Sequence, residues 1–163
     1  MAERLNVLAR DVEADLAWLA VLLQHRLDTY FAENPASPAL PGERPPPGLD
    51  DSLSSYAGFL RRHALTAAER AVLLLALAPL LRPQLLDVLW ARNPANQRGY
   101  SEFGGVQGAS SGHFIPTGET ACFLLAGDHL PERLRVIHLL AEHAGLLSGD
   151  VLLPLTPPPG EGW

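Results

Sequence analysis

Residues 92–127 read RNPANQRGYSEFGGVQGASSGHFIPTGETACFLLAG. Glycines at 99, 104, 105, 108 and 112 interrupt any regular apolar period through the first two thirds of this stretch. Leucine-rich helical patterns flank it on both sides. A compact domain carries so long an irregular segment when the segment folds on itself or has a task. Tyr100, Phe103, Val106, Phe114 and Ile115 lie among the glycines in a pattern that fits a loose β-hairpin with its tip at 107–112. Thr117, with Glu119 in the first turn, can cap a helix over Gly118–Ala126, and Gly127-Asp128 ends it.

Upstream, TAAERAVLLLALAPLLRPQLLDVLWARN (66–93) holds two further helices. Thr66 and Glu69 form a capping box for a helix over 67–80 that is apolar nearly all round, which makes it the expected central core helix. Pro83 suits the first turn of a third helix over 83–91, with Leu85, Leu86, Val88 and Leu89 inward and Trp90 at its end. Before these, Asp50, Asp51 or Ser52 can cap a helix through about His63, with Leu53, Tyr56, Ala57 and Leu60 on one face. Downstream, an amphipathic helix is expected over 131–144, with Leu134, Ile137, His138 and Ala141 against Glu132, Arg133, Arg135 and Glu142. Gly145 is its C-cap, Val151–Leu155 reads as a short strand, and the chain leaves through a linker.

The N-terminal 33 residues read as one helix. Leu5, Leu8, Val12, Leu16, Leu19, Leu22, Leu23, Leu27 and Tyr30 follow three- and four-residue steps, while Arg4, Arg10, Asp11, Glu13 and Gln24 fall largely elsewhere. The stripe suits docking on its own domain or pairing with a partner helix. Residues 34–49 contain six prolines and form a semi-rigid linker. The expected organisation is therefore a helix over 1–33, a linker over 34–49, a domain over 50–156 and an exit linker over 157–163. The fold class is mainly α with a small β-hairpin or wing, winged-helix-like, behind a long first helix.

Composition narrows the chemistry. All twelve basic side chains are arginine, so neither a P-loop lysine nor a Schiff-base lysine exists in these residues. The net charge of −6 opposes a non-specific grip on nucleic acid or an anionic membrane. Cys122 is the single cysteine, which leaves no intrachain disulfide and no cysteine cluster, and it sits in the apolar ACFLLA run as an inert thiol. The charged N-terminus has no uninterrupted apolar core of a signal peptide. The longest apolar run, Ala71–Leu81, is too short for a bilayer and holds Pro79. A soluble cytoplasmic protein is the expectation.

No catalytic set emerges. Ser110, Ser111 and His113 lack a nucleophile elbow and a placed acid. His138 and Glu142 stand four apart, but His138 and His143 point far apart round a helix, and HExxH is absent. The candidate site residues are Arg98, Tyr100, Glu102, Phe103, His113, Phe114 and Glu119, with Thr117 beside them. They form either a docking surface with exposed aromatic anchors or an internally braced loop whose aromatics plug the core.

The segments TAAERAVLLLALAPLLRPQLLDVLWARN, RGYSEFGG and GHFIPTGETACFLLAGD resemble the N-terminal region of a family of bacterial AAA+ ATPases. These carry a variant winged-helix domain before the ATPase module, and some are encoded with extracellular contractile injection systems. The resemblance spans 51–158, and is most specific over 82–93, 98–105 and 114–125. It implies a non-catalytic domain that recruits or positions a protein partner or aids oligomerisation. It assigns no cofactor or metal to these residues: ATP and Mg²⁺ belong to an ATPase module that they do not contain. A winged-helix regulator of nucleic acid is the alternative, although the third helix is apolar and carries Asp87, with only Arg82 and Arg92 at its ends.

Overall fold

A computed structural model of the chain describes residues 1–32, 44–108 and 112–141. It is mainly helical, with one small antiparallel hairpin. The elements run α1 (Ala2–Phe31), α2 (Ser55–His63), α3 (Ala67–Leu81), a 3₁₀ helix (Pro83–Trp90), β1 (Val106–Gln107), β2 (Phe114–Ile115), α4 (Gly118–Ala126) and α5 (Leu130–Ala141). A single turn of 3₁₀ helix at Ser101–Phe103 precedes β1. The expected Gly145 cap, Val151–Leu155 strand and exit linker lie outside the described residues, as do Ser110, Ser111, Glu142, His143 and most of the proline-rich run.

Helix α1 crosses the body and buries Leu16, Trp18, Leu19, Leu22, Leu23 and Leu27 in the same core as α3 and α4. From Leu16 on, its leucine stripe is thus occupied within the chain, while Leu5 in the first turns is exposed. The charged residues do not all face water: Asp11, Asp15 and Arg26 are buried too. The placing of Asp11 off the apolar face is corrected here.

Helix α2 begins later than expected. Four candidate caps stand within five residues, and tertiary partners select among them. Ser52 Oγ donates to Asp11 on α1, which leaves Ser54 Oγ to accept from Ala57 N (3.0 Å) as the cap. Leu53, expected on the inner face, is 95% exposed because it precedes the helix. The capping box of α3 forms as read: Thr66 N donates to Glu69 Oε2 (2.8 Å), and Glu69 N donates to Thr66 Oγ1 (3.2 Å). Helix α3 shares the centre with α4, in which every residue from Thr120 to Ala126 is buried.

The segment after Pro83 is a 3₁₀ helix, not an α-helix, and turns away from α3 by 102°. Three residues per turn align Leu86 with Leu89, and both are buried. Val88, expected inside, falls on a different ridge and is exposed. Among the described residues no single helix is long and apolar enough to cross a membrane.

Helix α5 is rotated relative to the expectation. It carries two apolar ridges, and the one that faces the body holds Val136, Leu139 and Leu140. Leu134, Ile137, His138 and Ala141, expected inward, are exposed. Arg133 decides the choice. Its guanidinium donates to both Glu119 oxygens (2.7 and 2.8 Å) and to Gly127 O (2.8 Å), which ties the α5 face beside Arg133 to α4.

Candidate functional site

The glycine-rich stretch folds into a platform on α4. Its hairpin pairs Val106 with Ile115 and Gln107 with Phe114, and Gly108 N donates to His113 O (2.9 Å) just beyond the pairs. Gly104 and Gly105 both have positive φ, at 63° and 83°. Each is also the point of a close approach. A Cβ on Gly104 would lie 2.8 Å from Thr117 Oγ1 and Thr120 N, and one on Gly105 would lie 2.2 Å from the Phe114 ring. The pair therefore lets the backbone pass under an aromatic ring and over the start of α4. Gly105 N donates to Thr117 Oγ1 (3.2 Å), and Thr117 N donates to Thr120 Oγ1 (3.0 Å), which fastens the platform to that helix end.

Phe103 and Phe114 are fully buried, which agrees with the braced-loop alternative, in which the aromatics plug the core, and not with the exposed-anchor one. Phe103 packs against Phe123 of α4 at 4.6 Å, the rings tilted by 47°, and also meets Tyr30 and Tyr100. Tyr100 is half-buried in this cluster, which Phe31 closes from α1. Glu102 accepts from Tyr30 Oη (3.1 Å) and from Ser101 Oγ (3.3 Å). Burial and this carboxylate push the Tyr30 phenol up to about 12, so it stays a neutral donor at any physiological pH. Glu119 is bound by Arg133, and the hydrogen bonds to Glu119 hold the Arg133 guanidinium firmly charged. His113 is half-buried beside the strand pair. Of the seven candidate residues, then, Phe103 and Phe114 sit in the core, Tyr100, Glu102 and Glu119 are engaged in bracing, His113 is half-buried and Arg98 is exposed.

Arg98 belongs to a closed loop over 92–99. An isolated bridge joins Arg92 to Gly99, and Asn93 N donates to Arg98 O (2.8 Å). Inside the loop, Asn93 Oδ1 accepts from Ala95 N (2.9 Å), Asn96 Oδ1 accepts from Arg98 N (2.9 Å), and Arg92 Nη1 donates to Gln97 O (3.3 Å). Gln97 is held at φ 57°, a left-handed conformation unusual for a side-chain-bearing residue. Trp90, at the root of the loop, is 41% exposed, and its ring meets Phe114 edge-on at 5.0 Å.

Two buried polar groups on α1 escaped the sequence reading. Asp15 accepts from Arg70 Nε (2.6 Å) and Nη2 and from Tyr56 Oη, while Arg70 Nη2 also reaches Pro47 O (3.0 Å). Hydrogen bonds and charge from Asp15 outweigh the burial that would lower the Arg70 pKa, and its net shift is upward. Burial first, then the Asp15 carboxylate, raises the Tyr56 phenol. Arg26 instead donates through Nε to Leu124 O (3.0 Å) near the C-terminus of α4, and its Nη2 has no hydrogen-bond partner. Burial lowers the pKa of this guanidinium, and Asp128 only partly opposes it. A Cβ at Gly127 would lie 2.8 Å from Arg26 Nη1, so this glycine serves the arginine as well as the helix end. The sequence signal for both groups is a charge at an apolar position: Asp15 and Arg26 each adjoin a stripe leucine.

A shallow cleft of about 300 Å³ lies between the pinned residues 49–50 and the α2–α3 junction, away from the platform. Arg61 Nη1 spans its rim and donates to Leu49 O (3.0 Å) and Asp50 O (3.1 Å). Cys122 is buried, and burial raises its thiol pKa, so a thiolate is disfavoured. Among the described residues no group of three or more His, Cys, Asp or Glu side chains is placed to hold a metal ion. In comparisons with known proteins, the chain matches no family model, no curated protein and no solved structure.

Proposed function

We propose that this chain is a non-catalytic interaction module, the winged-helix-like N-terminal domain of a cytoplasmic bacterial AAA+ ATPase that serves a contractile injection system. Its task is to recruit or position a protein partner for the motor. The order α2, α3, 3₁₀ helix, β1, β2 agrees with a helical trio followed by a wing. The observation that carries the reading is how the glycine-rich stretch spends its side chains. Its buried aromatics fill the core and its carboxylates brace neighbouring elements, while Arg92 and Arg98 are exposed. That division suits a rigid surface for docking better than a reaction centre, which needs a nucleophile or base held toward substrate. ATP and Mg²⁺ would act in the attached motor. From Leu16 to Leu27 the leucine stripe of α1 is occupied by its own core, so a role in oligomerisation would fall to the first turns of α1, where Leu5 is exposed, or to other surfaces.

The nucleic-acid reading draws on the same outward arginines. A phosphate backbone demands a run of cations, however, and two arginines on a chain of net charge −6 supply little of it. The helix in the recognition position is a 3₁₀ segment that presents Asp87 and Val88. Reading the gene past Trp163 tests the proposal. The expected result is an open frame with G-x-x-x-x-G-K-[ST] downstream. A stop codon there with no ATPase gene beside it overturns the family reading, and salt-sensitive binding to duplex DNA would favour the regulator instead.

A further inference from the structure

We infer that the face shared by α1, α2 and α3 is a recognition site for a proline-rich partner segment, one that carries a polyproline-II run followed by an apolar residue. In this chain the site is filled by residues 44–50, which such a partner displaces. The inference rests on the interaction-module reading and names the chemistry of its partner.

The strap over 44–50 reads Arg-Pro-Pro-Pro-Gly-Leu-Asp. Each proline fixes its own φ, and a residue before proline is driven to extended backbone, so the run adopts polyproline II. Proline has a carbonyl but no N–H, so donors from elsewhere must hold the run. Three side chains supply them. Trp18 Nε1 of α1 donates to Arg44 O (2.8 Å), and Arg70 Nη2 of α3 donates to Pro47 O (3.0 Å). Arg61 Nη1 of α2 donates to Leu49 O (3.0 Å) and Asp50 O (3.1 Å). Arg44 and Pro47 stand three residues apart, which is one turn of polyproline II, so their carbonyls lie on the same side of the strap. The donors thus form one track that reads carbonyls at the spacing of this helix.

Two of the donors are set independently of the strap. Trp18 is 7% exposed, and Arg70 is 8% exposed with Asp15 gripping its Nε and Nη2. The strap is held more lightly. Arg44, Pro45, Gly48 and Asp50 are exposed, while Leu49 packs against the core. Its bonds run through main-chain carbonyls, which any polyproline-II segment presents, and a proline run of preset shape loses little entropy on binding. Beyond Pro47 the track opens into the cleft of about 300 Å³, lined by Ala57, Leu60, Leu65 and Arg61 beside Leu49 and Asp50. Arg70 also lines it, which joins the cleft to the proline end of the track. A larger apolar side chain in the place of Leu49 gains contacts in that space.

The test uses the full chain and a fluorescein-labelled RPPPGLD peptide, read by anisotropy. In Pro45→Gly/Pro46→Gly/Pro47→Gly the strap keeps its carbonyls and loses its preset shape. The peptide should bind this variant at least about tenfold more tightly than the parent, where the tethered strap competes. On the same variant RAAAGLD should bind about tenfold more weakly and RPPPGFD about threefold more tightly, and adding Arg61→Ala should weaken RPPPGLD about fivefold. Arg61 is exposed, so its removal should leave the circular dichroism unchanged, which separates lost docking from lost folding. Excess RPPPGLD added to the ¹⁵N-labelled parent should move the indole N–H signal of Trp18, assigned through Trp18→Phe, and leave that of Trp90 in place. An unmoved Trp18 signal, no saturable binding to a folded glycine variant, or equal binding of RAAAGLD would overturn the site. An ATPase frame without peptide docking defeats this inference alone, and peptide docking without an ATPase frame defeats only the family reading.

Discussion

The two halves of α1 are held by different physics. The N-terminal half docks through charge: Asp11 meets Ser52, and Asp15 meets Arg70 and Tyr56. The C-terminal half docks through shape. Tyr30 meets three rings beyond its own helix, Tyr100, Phe103 and Phe123, and Arg26 lies against Gly127 with only Leu124 O as its hydrogen-bond partner. Two buried arginines of one protein thus sit in opposite situations. Arg70 has a carboxylate and two carboxylate hydrogen bonds, while Arg26 has one carbonyl and the field at a helix C-terminus. A buried ion pair is costly to break because the survivor stays charged and desolvated, whereas a lone buried cation has less to lose.

Removing Asp15 should have the largest effect. Asp15→Ala leaves Arg70 buried without its anion and should cost about 3–5 kcal/mol in urea unfolding. Adding Arg70→Met should recover much of that loss, and a double variant no better than the single one would mean that the network holds the fold by some other route. On the shape-held side, Gly105→Ala drives a methyl into the Phe114 ring at a positive φ. About 2–4 kcal/mol should be lost, read from the same unfolding curves, with Trp90 fluorescence changed through its contact with Phe114. A neutral result would show that the platform can shift as a body.

Arg26→Met sharpens the contrast most directly. It removes one hydrogen bond and one poorly compensated buried charge, so stability should stay within about 1 kcal/mol of the parent. A loss as large as that of Asp15→Ala would erase the distinction between the two buried sites. Glu119→Gln should cost no more than about 1 kcal/mol, because this carboxylate is 40% exposed and water screens its pair with Arg133.

The smallest effect concerns acid. Burial by itself raises the Asp11 carboxyl, but hydrogen bonds from Ser52 and Ser54 and the Arg10 charge bring it below its ordinary value of 3.8. A folded pKa below the unfolded one adds stability above the unfolded value, and that stability disappears as pH falls through the folded value. Ser52→Ala should therefore flatten the stability profile below about pH 4 and leave its shape unchanged near neutrality. A parallel downward displacement of the whole profile would mean that Ser52 acts through packing and not through Asp11.

Much of the architecture was legible locally. Thr66 and Glu69 bond each other across one turn, Gly127 closes α4, and the glycines around Val106 and Phe114 fit a hairpin. The candidate site was legible as a region but not in its side chains. Phe103 and Phe114 could be read as free anchors or as core plugs, because a glycine-rich sequence carries no period to say which face is inside. Trp90 and Arg92 were noted only as the end of a helix, and the closure of the 92–99 loop by the Arg92–Gly99 bridge had no local signal.

The sequence by itself determined where α3 starts and where α4 starts and stops, because caps and glycines act within a few residues of themselves. It also determined that these residues hold no lysine chemistry. Tertiary structure alone decided which ridge of α5 faces the body, which serine caps α2, and which charges on α1 are buried. Those choices depend on partners far along the chain: Arg70 reaches Asp15 across 55 residues, and Arg26 reaches Leu124 O across 98. A local pattern offers two apolar ridges or several capping serines at nearly equal energy, and a distant carboxylate or carbonyl breaks the tie by making one of them the arrangement in which buried polar groups are bonded.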